Sequence, residues 1–265
     1  RILGDGVITN PTPYEMDFFP MGTEAGNVPT FAGRIVGPIY TYNQGGSWFY
    51  NFTGSGSDNP RACVIPSNAI VGMKEVGGIS ADGSVTNCGS YGYGPVQISD
   101  NGTFVYQGTG AVSHAKFEDY PGHSVQYGKI KGGETGGLRL QGSIAFTGRV
   151  LSRLAFGGDH TNACTLECPL SCNANGAFAL SKEGAGTWSF LGPRDYNGAL
   201  FVKDGTLRFD SIDRAGVPCA LGLSSILKAD VSAKVARILE CSHEIEKYEK
   251  ERTDAVRERW NTSGR

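Results

Sequence analysis

Two imidazoles, two carboxylates and a phenol fall within the short run from His114 to His123, through Lys116, Glu118, Asp119 and Tyr120. Imidazoles beside carboxylates are the side chains of general acid–base catalysis. His114, Glu118 and His123 are therefore the groups through which a polysaccharide-cleaving activity would act. The plainer reading is a polar loop between strands. The run Gly157-Gly158-Asp159-His160 sets a carboxylate against an imidazole and reads as a turn. His243 stands in no close pair. No His-Glu-x-x-His and no Gly-x-Ser-x-Gly elbow occurs. Gly108-Thr109-Gly110-Ala111 and Gly54-Ser55-Gly56 open no helix, so they do not read as phosphate cradles. The sequence assigns no catalytic residue, no cofactor and no metal site.

The seven cysteines stand at 63, 88, 164, 168, 172, 219 and 241. The spacing of Cys164, Cys168 and Cys172 is not a usual zinc pattern. In a chain of this kind cysteines favour disulfides and an oxidising compartment. Cys63 with Cys88 is one expected pair, and Cys164, Cys168 and Cys172 are expected to supply another. An odd total leaves one thiol over, free or bonded to a second chain. Sequons for N-glycosylation occur at Asn51, Asn101 and Asn261 and depend on a host that uses them.

The elements that must carry these residues are short strands. Glycine makes up 39 of 265 residues, about twice the usual share, and recurs in tight corners: Asn43-Gln44-Gly45-Gly46, Ala81-Asp82-Gly83-Ser84, and Lys131 to Gly137. From Leu138 to Phe156 the even positions are mostly apolar, with Leu138, Leu140, Ile144, Phe146, Leu154 and Phe156 on one face. That period of two predicts half-buried strands, broken at Gly142 and Gly148. Arg139, Arg149 and Arg153 fall on the opposite face, where they would either contact an anionic glycan or serve as solvated charges that discourage edge-to-edge pairing.

An internal echo accompanies the alternation. Gly102-Thr103-Phe104-Val105-Tyr106-Gln107-Gly108 and Gly186-Thr187-Trp188-Ser189-Phe190-Leu191-Gly192 share a Gly-Thr entry, alternating aromatics and a closing glycine. Such self-similarity suggests a solenoid, whose coils bury their apolar faces on one another.

The texture breaks near Ser224. Residues 1–223 hold 38 glycines and residues 224–265 hold one, with 17 charged residues in the latter. Val231, Val235, Ile238, Cys241, Ile245 and Tyr248 fall three and four apart, which predicts an amphipathic helix over 229–260. A further strand over 224–239 remains the alternative. The expected organisation is an irregular entry or cap with the first coils over 1–60, stacked strands over 61–223, and a charged helical tail over 224–265. A formal charge of −2 carries no basic footprint for nucleic acid, and no apolar run approaches the roughly 18 residues of a membrane span.

Between Lys182 and Gly222 the residues Lys182, Gly184, Gly186, Thr187, Trp188, Phe190, Gly192, Tyr196, Gly198, Val202, Gly205, Thr206, Leu207, Ala220, Leu221 and Gly222 match a known pattern in order and spacing. The run resembles the autotransporter-associated β-strand repeat, also called the passenger-associated transport repeat. The resemblance covers about 40 residues and implies a right-handed parallel β-helix in a secreted or surface-displayed bacterial protein, without catalytic residues. With it, the sequence leads to an all-β solenoid acting as a non-catalytic structural or adhesin module, with self-association through the 229–260 helix and environmental glycans as partners. A lyase-like enzyme and a glycan-binding module are the alternatives.

Overall fold

The computed structural model describes residues 6–14, 16–18, 30–41, 49–120, 127–146, 153–172, 178–194, 196, 198–211, 217–222, 227–229 and 237–238. These residues form an all-β structure with no helix. Alternation drives it. Ser143–Phe146 buries Ile144 and Phe146 and leaves Ser143 and Ala145 half-buried, and Leu138–Leu140 buries both leucines around an exposed Arg139. Every described apolar position of the 138–156 pattern faces inward, as a period of two requires.

Three sheets carry the architecture, of seven, nine and six strands among the described residues. The chain visits them in rotation. Val96–Ile98 lies in the seven-stranded sheet, Thr103–Tyr106 in the nine-stranded and Ala111–Ser113 in the six-stranded. Lys116–Asp119 then pairs parallel to Val96–Ile98, Tyr127–Gly132 to Thr103–Tyr106, and Leu138–Leu140 to Ala111–Ser113. The rotation repeats through Ser143–Phe146, Arg153–Gly157 and Cys164–Leu166, then through Leu170–Cys172, Phe178–Lys182 and Thr187–Phe190. Within these sheets all pairings are parallel, and the stacked arrangement is consistent with a parallel β-helix.

The register is regular where the coils are. Phe104 pairs with Ile130, Ile130 with Phe156, and Phe156 with Lys182, a constant step of 26 residues, before a shorter step to Val202. In the six-stranded sheet Leu140 pairs with Leu166, Leu166 with Phe190 and Phe190 with Phe209, while Trp188 pairs with Leu207. These ladders line one continuous core. Phe156 meets Trp188 edge-on at 5.0 Å and Phe190 at 5.1 Å between ring centres, and Phe104 meets Phe117 at 5.1 Å. Such pairs add about 0.5–1.5 kcal/mol to the burial itself. Trp188 is 0% exposed, and its indole N–H donates to Gly157 O at 3.0 Å.

Toward the first coils, side chains replace missing ladder bonds. Asn59 accepts from Ile39 N at 3.2 Å and donates to Ile39 O at 2.8 Å, imitating a strand neighbour. The Tyr91 hydroxyl donates toward Ile39 O and Ala62 O and accepts from Thr41 N. These bonds satisfy buried backbone groups that no strand reaches.

Two expectations change. Leu227–Ala229 and Arg237–Ile238 pair as parallel strands with Gly198–Val202 and Thr206–Phe209. At 229 and 237–238 the strand alternative therefore replaces the helix expected over 229–260; the rest of that helix lies outside the described residues. Cys63, Cys88, Cys164 and Cys168 are free thiols, as is Cys219, so the expected bridges among them are absent. Cys63, Cys164 and Cys168 are instead buried as small apolar core residues. The Cys172 side chain lies outside those described.

Candidate functional site

The one hairpin among the described residues, Gly78–Ile79 with Val85–Asn87, forms its own two-stranded sheet apart from the three large ones. Its turn is tied by Asp82, which accepts from Ser84 N at 3.0 Å. Bonds from Ser80 and Ser84 hold the Asp82 carboxyl at about 2, below the ordinary carboxylate range. Beside the hairpin lies a groove of about 380 Å³. It follows the corners that lead into the seven-stranded sheet on successive coils: Pro60, then Tyr93 to Pro95, then His114 and Lys116, then Gln141 to Ser143.

Glycines set this groove by close approach. A Cβ on Gly78 or on Gly142 would lie 2.1 Å from backbone atoms of His114 and Ala115, and one on Gly94 would lie 2.1 Å from Arg61 O. No side chain fits at these three points, so the neighbouring coils touch backbone to backbone. The main chain is bonded there as well: Gln141 N donates to Ser113 O at 2.8 Å, and Tyr93 N to Asn59 O at 3.0 Å.

The groove walls are mixed. Ile79, 47% exposed, stands with Pro60 and Pro95 on the apolar side. Tyr93 is half-buried, and burial pushes its hydroxyl pKa upward, with Asp58 and Cys88 adding to the shift. Lys116 forms an ion pair with Glu118, which also accepts from Gln97 Nε2 at 2.8 Å. The Gln141 amide donates to Glu167 at 2.7 Å. Of the acid–base trio, His114 lines the groove, Glu118 lies two residues beyond Lys116 on the same strand, and His123 lies outside the described residues.

The other candidates are dispersed. Arg139 and Arg153, read from the sequence as sharing a face, lie on different sheets, because the chain turns a corner between them. Arg139 makes a fork with Glu167 at 2.8 and 3.0 Å, which holds the Glu167 carboxyl below its usual range. The Arg153 guanidinium sits 5.4 Å over the Phe201 ring and 5.9 Å over Tyr127. Arg149 lies outside the described residues. Asp159 of the Gly157–His160 run accepts from Ala185 N at 2.8 Å and so braces the next coil's turn. His160 is buried, its Nε2 2.8 Å from Thr187 O, and burial pulls its pKa down toward the neutral form.

Two cations sit inside the core, and the sequence marked neither as buried. Lys182 occupies the inward ladder between Phe156 and Val202 and is 0% exposed. Its ammonium donates to Glu183 O at 3.0 Å, Gly184 O at 2.6 Å and Asp204 O at 3.1 Å, joining two consecutive turns. Burial lowers its pKa to about 8. Gly205 has a φ of +68°, and a Cβ there would lie 2.3 Å from Gly184 O and 2.7 Å from the Lys182 ammonium. Arg194, 3% exposed, donates to Gly192 O and Ala220 O at 3.1 Å, Leu191 O at 3.0 Å and Leu166 O at 2.5 Å. The seven-stranded sheet ends at Leu170–Cys172, and one coil further on Arg194 lies where its next strand would run, bridging antiparallel to Cys219. These cations act as structural clamps: the Lys182 ammonium donates to three backbone carbonyls and the two Nη atoms of Arg194 to four, while Arg194 Nε is buried without a hydrogen-bond partner among the described residues. Glycine spacing around Lys182 was visible in the sequence; nothing in the sequence signals the groove, whose residues come from four separate coils.

Among the described residues, no group of three or more His, Cys, Asp or Glu is arranged to hold a metal ion, and no helix is long and apolar enough to cross a membrane. No family model matches the chain, and neither a curated protein nor a solved structure is found similar to it.

Proposed function

We propose that the chain is a rigid structural module of a secreted or surface-displayed bacterial protein. It would be a right-handed parallel β-helix of the autotransporter-associated repeat kind, serving as a stalk or adhesin segment. The observation that carries the reading is the division of labour within Lys182–Gly222. Trp188, Phe190, Val202 and Leu207 fill inward ladders, Gly184 and Gly205 adopt positive φ at stacked corners, and Lys182 ties those corners together. These matched residues serve the stacking of one coil on the next. A repeat whose parts all serve stacking suits a load-bearing column.

The test is location on the cell. Antibodies against residues 178–222 should label intact, unpermeabilised source cells or the secreted fraction. Antigen found only inside lysed cells would overturn the reading.

A further inference from the structure

We propose that the groove beside the hairpin is a binding site for a neutral saccharide. This does not rest on the stalk reading; a column of any role can carry the site.

Size and shape come first. At about 380 Å³ the groove lies within the roughly 300–1,000 Å³ of small-molecule sites. Its floor includes Gly94 and Gly142, where a Cβ would lie 2.1 Å from the backbone of the neighbouring coil, as at other corners of the stack.

Chemistry selects the ligand. The lining includes Tyr93, Pro95 and the exposed Ile79, an aromatic and two apolar residues suited to the C–H face of a pyranose. His114, Gln141 and Ser143, from two successive coils, add ring-nitrogen, amide and hydroxyl groups that can exchange hydrogen bonds with sugar hydroxyls. Charge excludes the acidic alternative. Lys116 is the groove's one ammonium, and Glu118 already neutralises it. A uronate entering here would have to compete with Glu118 for that ammonium.

Full-length chain is titrated by calorimetry and by saturation-transfer NMR with maltotriose, cellotriose and triacetylchitotriose as neutral probes and trigalacturonate as the acidic one. At least one neutral probe should bind saturably, and more tightly than trigalacturonate. Tyr93→Ala should weaken that binding about tenfold. Gln141→Ala, a half-buried surface change that leaves the core intact, should weaken it severalfold, with an unchanged urea midpoint confirming the fold. The proposal is overturned if no neutral probe binds up to about 10 mM, if trigalacturonate binds tighter, or if Gln141→Ala binds as the unaltered protein does.

Discussion

Lys182 makes the stability of this protein depend on pH in an unusual direction. Its ammonium is surrounded by core, and its folded-state pKa of about 8 lies below the ordinary 10.5 chiefly because burial penalises the charge; Asp204, Asp159 and Glu183 oppose the shift. Between these two values the unfolded chain holds a proton that the folded chain has released. Linkage then makes stability rise with pH across that window, by roughly 3 kcal/mol in all. Below it both states are protonated, and above it neither is. Two thiols act oppositely. Burial pushes Cys63 and Cys168 up to about 12 from 9.0, so their contribution is lost as pH climbs past 9.0. The raw profile is therefore a sum, and the informative quantity is a difference. Lys182→Met keeps an unbranched chain in the same channel and removes only the titrating amine. Urea unfolding of both proteins, from about pH 7 to about pH 10.5, should show the unaltered protein gaining roughly 3 kcal/mol relative to the variant as pH rises. Parallel profiles would show that Lys182 is not a desolvated cation, and the clamp described for it would be wrong.

A matched glycine pair tests the stacking of the corners. Gly83→Ala, at φ +83° with nothing within 4 Å of the new Cβ, should cost about 1–2 kcal/mol from backbone strain alone, whereas Gly205→Ala also drives a methyl into Gly184 O and should cost more than about 3 kcal/mol in urea unfolding. Thiol accessibility tests the free cysteines: with a disulfide reagent on native protein followed by peptide mapping, Cys88 should label before Cys63, Cys164, Cys168 and Cys219, all of which are buried. Failure of Cys63 or Cys88 to label after unfolding without reductant would point to a bridge instead.

The alternation from Leu138 to Phe156 was legible because it depends on one face being wet and the other dry, a local property. The 26-residue step was not. The residues it stacks are Phe104, Ile130, Phe156 and Lys182, which share position but not identity, and a ladder constrains volume more than residue type. Lys182 itself was legible as part of a repeat, yet a lysine read alone suggests the surface. Its burial depends on carbonyls at 183, 184 and 204 converging on one point, which only the coil closure arranges. Cysteine count suggested bridges because a count does not tell a thiol packed as a small core residue from one in a bridge. The groove was hidden for the opposite reason: Tyr93, His114 and Gln141 have ordinary neighbours in sequence and become adjacent only through stacking.

In the nine-stranded sheet Val71 pairs with Phe104, a longer interval than the 26 residues from Phe104 to Ile130, and the surplus chain holds the hairpin of Gly78–Asn87. The ladder on either side keeps its register despite the excursion. Length at this corner is thus decoupled from the integrity of the column, and a lineage could lengthen, shorten or replace the hairpin to remodel what the adjacent cleft recognises while the scaffold beneath stays untouched.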